Sequence, residues 1–298
     1  MNIQWYPGHM TKAKRAMKED IKLIDLVIEL VDARVPFSSR NPDIDQLGAG
    51  KARLVLLNKS DLADESLNRR WAQWFEAQGM YVVKIDARNK GTLKQIQAVV
   101  QEACKEKIER DRRRGILNRP IRAMVVGIPN VGKSTFINSF AGKACAKTGN
   151  KPGVTKGNQW IRLNKSLELL DTPGILWPRF DDQQVGVKLA LIGSINDEIL
   201  DKDELAMGLI RFMNSNYPQV LRERYQLGDG EEAAGAEEIL AQVARIRSCL
   251  VKGGELDLGK AARLLLDDFR SGRLGRVTLE QPEEFREKGK KDTNGKNA

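Results

Sequence analysis

The apolar positions of this chain follow two rhythms. Short, nearly continuous apolar runs dominate the first half, at residues 23–31, 54–57, 81–85 and 121–126. Runs of this length predict strands buried on both faces, as in a parallel sheet. Between them lie stretches of helical spacing: 11–20, 65–78, and 92 to about 113, where Leu93, Ile96, Val99 and Val100 share one face. Residues 159–163 and 167–170 read as a hairpin pair of strands. Strands alternating with helices predict an α/β domain with a mainly parallel sheet and flanking helices. Past about residue 180 the strand signal fades. Residues 203–213, 236–247 and 258–269 carry helical spacing, with Ile239, Leu240, Val243 and Ile246 on one face and Ala261, Leu264, Leu265 and Phe269 on another. The expected division is therefore an α/β domain over 1–180, a small all-α domain over 181–285, and a polar, disordered tail over 286–298.

The chemistry sits where the predicted strands end. After the run 121–126 comes Gly127-Ile-Pro-Asn-Val-Gly-Lys-Ser-Thr135, which fits G-x-x-x-x-G-K-[ST] between a strand and a helix. In such a loop, glycines let the backbone wrap an anion, and the N–H groups of Asn130 to Thr135 and the helix N-terminus face the phosphates. Lys133 would reach the β- and γ-phosphates, and Ser134 would ligate Mg²⁺. The strand 54–57 ends in Asn58-Lys-Ser-Asp61. A carboxylate at Asp61 can accept from both N1–H and N2–H₂ of guanine, a donor pair that adenine lacks. Asn58 would brace the loop, and the Lys59 stem would cover the base. Asp171-Thr-Pro-Gly174 ends the second hairpin strand. Asp171 would hold Mg²⁺ through water, and the Gly174 N–H would meet the γ-phosphate. Thr155, with Thr148 as runner-up, would close over Mg²⁺ and the γ-phosphate; the alternative is a plain loop threonine.

The order of these motifs is unusual. The guanine reader comes first, then the phosphate loop, then Thr155, with Asp171 to Gly174 last. Rotating the chain restores the order of an ordinary Ras-like GTPase. The rotation also tethers the helical domain directly to the turn that senses the γ-phosphate.

Composition adds a partner class. The net charge is +10 and the pI about 9.5, which favours a polyanion such as nucleic acid. Basic clusters lie at Arg110 to Arg114, at Lys12, Lys14, Arg15 and Lys18, and at Arg270, Arg273 and Arg276. Each alone reads as a solvated helix face; their sum supports RNA. Trp5 and Tyr6 could stack on bases or pack on the domain. Three scattered cysteines give neither a disulfide framework nor a zinc site. No run is long enough to span a membrane, and the N-terminus lacks the pattern of a signal peptide. A cytoplasmic monomer without stable membrane association is expected.

Together these motifs resemble the circularly permuted GTPases of the YlqF/YawG type. The residues that carry the likeness are Trp5 to Met10, Asp32 to Pro36, Asn58 to Asp61, Gly127 to Thr135, Pro152 to Thr155, Asp171 to Gly174, and parts of 254–275. The resemblance implies a circularly permuted P-loop GTPase domain plus a small all-α C-terminal domain. It implies GTP/GDP and Mg²⁺ as ligands, and a role in late assembly of the large ribosomal subunit with its precursor and rRNA as partners. A GTP-dependent signalling or interaction module is the rival; an ATPase is disfavoured by Asp61. The base-contacting loop usually reads like Ser-Ala-Lys and here is Asp86-Ala87-Arg88, where the Ala87 N–H could bond guanine O6 and Arg88 flanks the base. The glutamine that orients water in Ras-like enzymes is replaced by Ile175, so low intrinsic turnover is expected. His9 could position or deprotonate water, or else face solvent or RNA. Asn130 could ligate K⁺, or else brace the loop.

Overall fold

The computed structural model describes residues 8–142, 144–146, 158–177, 180, 182–227 and 235–285, with side chains from Met10 onward. Thr148, Thr155, Trp5, Tyr6 and the tail after residue 285 lie outside the described residues, as does the side chain of His9. Contacts divide the described chain into two units: 8–177 with 280–285, and 180–279.

The first unit is built on a six-stranded sheet in the order β3-β2-β1-β4-β6-β5. The strands are β1 (Leu26–Asp32), β2 (Ala52–Asn58), β3 (Tyr81–Lys84), β4 (Ile121–Val126), β5 (Gln159–Arg162) and β6 (Leu167–Asp171). All pairings are parallel except β5 with β6. Every residue of β1 is buried, as expected of a central strand covered on both faces. The parallel order places the C-terminal ends of β1, β2, β3, β4 and β6 along one edge, with Asp32 opposite Asn58 in register. Ligands of open α/β sheets bind at that edge.

Helices α1 (Gly8–Asp20), α2 (Asp43–Leu47) and α3 (Glu65–Glu76) occupy the first half. The Asp64 carboxylate accepts from the N–H groups of Ser66 and Leu67, capping α3; such a cap contributes about 0.5–2 kcal/mol. The expected long helix over 92–113 is instead three pieces: α4 (Lys90–Leu93), α5 (Ile96–Ala103) and α6 (Lys105–Arg113). Cys104, at φ −105° and ψ 12°, steps off the helix between the last two. Leu93, Ile96, Val100 and Cys104 are all buried, so the apolar spacing runs through the breaks. Helix α7 (Lys133–Ala141) follows β4.

A short return segment completes this unit. Glu280 is buried, and its carboxylate accepts from the N–H groups of Phe37 (2.8 Å) and Ser38 and from the Ser38 hydroxyl. The Trp71 indole N–H donates to the Glu280 carbonyl at 3.2 Å, and Phe285 stacks on Phe37 with ring centroids 4.0 Å apart. The expected helical domain extends to 285; residues 280–285 belong instead with the sheet-containing unit.

The second unit contains α8 (Gln183–Leu191), α9 (Lys202–Asn216), α10 (Pro218–Tyr225), α11 (Ala236–Ile246) and α12 (Leu258–Ser271). Leu209, Met213, Val243 and Leu265 are fully buried in its core. Two ionic groups fasten it. Arg270 reaches both oxygens of Asp197 at 2.8 Å and the carbonyls of Leu191 and Ala190. The buried Asp268 collects Arg224, Arg247 and Arg273. The sequence grouped Arg270 and Arg273 with the RNA-facing clusters; Arg270 is spent inside this unit, and Arg273 is tied to Asp268. Asp268 is buried and needs paired charge, which Arg273 helps to supply.

Candidate nucleotide site

The phosphate loop leaves β4 at Gly127. A Cβ at Gly127 would meet Leu30 O at 3.0 Å and Val131 Cγ1 at 2.9 Å, so only glycine lets the loop lie against β1. Gly132 takes φ +98° and caps α7, and a Cβ there would strike the Asn58 amide nitrogen. The first turn of α7 carries Lys133, Ser134 and Thr135, whose N–H groups face outward along a helix N-terminus.

Asn58 joins two loops through one amide group. Its Nδ2 donates to Val131 O at 2.7 Å, and its Oδ1 accepts from Ala87 N–H at 3.0 Å. By sequence, that Ala87 N–H could bond guanine O6; in the structure it donates to Asn58, whose amide side chain offers a donor and an acceptor at once. Lys59 sits at φ +58°. Its Nζ donates to Asp32 Oδ2 at 2.9 Å and to Asn130 O at 3.0 Å. The bracing expected of Asn58 is thus shared by Lys59, which ties the phosphate loop to the end of β1. Asn130 is left-handed at φ +59°.

Asp32 was not singled out chemically in the sequence. It is fully buried and paired with Arg34 through Nε (2.9 Å) and Nη2 (2.8 Å). Burial alone would raise its carboxyl, but Arg34 and Lys59 outweigh burial and hold it far below the usual carboxylate range. Burial likewise pulls Lys59 below the ordinary lysine value, opposed by Asp32.

Asp61 Oδ2 accepts from Arg88 Nη2 at 2.7 Å, and Arg88 Nε donates to Asp86 Oδ1 at 3.0 Å. Asp61 Oδ1 is buried without a hydrogen-bond partner among the described residues. A buried carboxylate oxygen without a donor fits a site that awaits one, and guanine N1–H or N2–H₂ is a donor of the right kind.

Across the loop, Lys133 Nζ donates to Asp171 Oδ1 at 2.8 Å, and both are buried. Burial lowers the Lys133 ammonium below its ordinary value, offset by Asp171. The cation that would meet phosphate and the carboxylate that would meet Mg²⁺ therefore already adjoin. Thr172 Oγ1 donates to Val125 O at 2.8 Å, anchoring the turn on β4. A Cβ at Gly174 would lie 2.9 Å from Pro129 N, so this glycine packs directly on the phosphate loop. Ile175 is buried, and its N–H donates to Gly127 O at 3.3 Å. Asn41 Nδ2 donates to Ile175 O at 3.3 Å. The edge thus gathers Asp32, Asn58, Lys59, Asp61, Ala87, Arg88, Asn130 to Thr135, Asp171 and Gly174. Thr155 lies outside the described residues. No group of three or more metal-binding side chains occurs among the described residues. Ser134 on the first turn of α7 and Asp171 at the end of β6 put two protein oxygens at this edge, a set that fits an ion held by one or two protein oxygens together with phosphates and waters.

Comparison with known proteins gives the family. A family model described as 50S ribosome-binding GTPase matches residues 122–219, taking in the phosphate loop and Asp171 but not Asn58. The ribosome biogenesis GTPase A of Bacillus cereus is 50% identical over 96% of this chain and 96% of its own. The chain belongs to the ribosome biogenesis GTPase A family. Ribosome biogenesis GTPase A of Thermotoga maritima is 33% identical over 98% of this chain and 100% of its own. The solved GDP-bound TM YlqF aligns with TM-score 0.63 and 28% identity, covering 90% of this chain and 99% of that one. The GNP-bound YlqF from T. maritima gives 0.62 and 28%, covering 91% and 99%. As a member of the ribosome biogenesis GTPase A family, the chain has the circularly permuted P-loop GTPase fold, binds guanine nucleotide and is a GTP hydrolase.

Proposed function

We propose that this GTP hydrolase is a switch in late assembly of the large ribosomal subunit, binding rRNA in precursor particles in its GTP state and leaving after hydrolysis. The observation that carries the reading is the set of braces from Asn58 and Lys59 to the phosphate loop, in a chain half identical to a ribosome biogenesis GTPase A. In this reading base recognition and phosphate binding share one braced edge, and the turn holding Gly174 abuts it. Among the described residues no helix is long and apolar enough to cross a membrane, and a cytoplasmic monomer fits the role.

In this mechanism Asp61 and Lys59 fix the base, and the α7 N-terminus and Lys133 fix the phosphates. Ser134, with Asp171 through water and Thr155, would hold Mg²⁺, which when bound neutralises charge developing on the phosphates. Lys133 and Asp171 would exchange each other for these partners. Ile175 cannot orient water, since it is apolar and buried. His9, on the first turn of α1 by its backbone, is the residue assigned to the water. His9→Ala is expected to lower particle-stimulated turnover about 100-fold or more, the usual scale of general acid–base help, with nucleotide affinity retained; unchanged turnover removes that role. Asn130 is assigned a K⁺ as an extra positive charge. Hydrolysis should then run faster in potassium than in sodium at equal ionic strength, and equal rates count against the assignment.

The function itself is tested by sedimenting the protein with large-subunit precursors. Co-sedimentation with a non-hydrolysable GTP analogue and release with GDP are expected. Absence of binding in both states sinks the reading.

A further inference from the structure

At the far edge of the sheet from β3, the hairpin of β5 and β6 presents a surface that the nucleotide site does not use. Trp160 on β5 is 42% exposed. Its ring is faced by Arg122 of β4, whose guanidinium carbon lies 5.3 Å from the ring centroid. Arg122, Glu168 and Arg162 form one lateral row across β4, β6 and β5. Glu168 accepts from Arg122 Nε at 3.4 Å. Arg162 is exposed and has no ion pair among the described residues. With Leu23, itself half exposed, these residues line an open cavity of about 280 Å³.

We propose that this surface binds an unpaired nucleotide of RNA, with the base against Trp160 and Arg122 and the phosphate on Arg162. The inference rests on the reading of the chain as an rRNA-binding factor and names a contact surface for it. Three features select this occupant. The cavity, at about 280 Å³, falls below the roughly 300–1,000 Å³ of drug-sized ligand sites and is open on one side, which suits a single ring rather than a larger ligand. Aromatic rings and arginine guanidinium planes are the two surfaces on which single-stranded RNA bases stack once splayed out, and both meet here. Two arginines against one glutamate leave the surface net positive, so it complements phosphate. Gln159, next to Trp160, pairs in register with Asp171, so an RNA gripped here lies on the strand beside the one that ends in the Mg²⁺ carboxylate.

The test uses the full-length protein and fluorescence anisotropy with a labelled single-stranded oligouridine, a duplex RNA of equal length and a labelled oligoglutamate peptide. Wild type should prefer the single strand. Trp160→Ala should weaken it about 5- to 150-fold, the scale of one base–aromatic stack. Trp160→Phe should keep most of the affinity, and Arg162→Ala should lower the salt slope by about one. Because Arg162 is exposed, its variant reads the site without risk to the fold, and melting curves control for Trp160→Ala. Equal affinity of wild type and both alanine variants for the oligouridine overturns the proposal, as does preference for the acidic peptide. Co-sedimentation of wild type with precursor particles is scored separately: if it succeeds while the oligouridine results are negative, only this surface is wrong. If wild type fails to sediment with particles, the broader reading fails.

Discussion

Asp61→Ala is expected to weaken GTP binding about a thousandfold while ATP binding stays as poor as before. Two charge-assisted hydrogen bonds are lost, each worth about 1.5–3 kcal/mol. Asp61 Oδ1 is already buried without a partner among the described residues, so the site spends a desolvated acceptor that only a two-donor base repays. The fold should survive, because Oδ2 accepts from Arg88, whose side chain is 64% exposed and stays bonded to Asp86. Competition of GTP and ATP against a fluorescent GDP analogue measures the outcome. A variant that still prefers GTP by orders of magnitude would move base recognition to other residues.

The second large effect is on stability. Asp32→Ala leaves the buried Arg34 without its two short ion-pair bonds and takes one partner from Lys59. Breaking a buried pair by removing one member costs about 3–5 kcal/mol, a large share of the roughly 5–15 kcal/mol of a whole domain. Chemical denaturation should show the loss directly, and a midpoint within error of wild type would refute it. The same carboxylate predicts a pH response. Its folded value lies below its unfolded one, so its contribution is complete above the unfolded value and is lost as pH falls through the folded one. Wild type should therefore lose stability on acidification below about pH 5, and Asp32→Ala should lose less over that range.

The strands and the chemistry-bearing turns were legible because both are local. A buried parallel strand is a short apolar run, and a phosphate loop is a fixed spacing between a strand and a helix. What escaped is set by partners far away in sequence. Arg270 looked like surface charge because nothing in its neighbourhood announces Asp197. Residues 280–285 read as part of the helical domain because their partners are Phe37, Ser38 and Trp71. The breaks at α4, α5 and α6 were invisible for the opposite reason: Leu93, Ile96, Val100 and Cys104 keep a helical rhythm whether or not each residue between them is helical. Asp32 was quoted only as part of a resemblance, and its role as the anchor of Lys59 needs the register that sets it opposite Asn58.

The strand order also fixes how the sheet can grow as the chain leaves the ribosome. Synthesis delivers β1, β2 and β3 first, and these three are contiguous in the sheet. The half that carries Asn58 and Asp61 thus has all three of its parallel strands while the strand of the phosphate loop is still being translated. Until β4 emerges, the second edge of β1 has no neighbour, and β1 is the most buried strand of the finished sheet. An open, flat, apolar edge is the kind that pairs with other chains. For this nascent protein the hazardous interval lies between the release of β3 and the arrival of Ile121, and it ends when the strand carrying the phosphate loop docks.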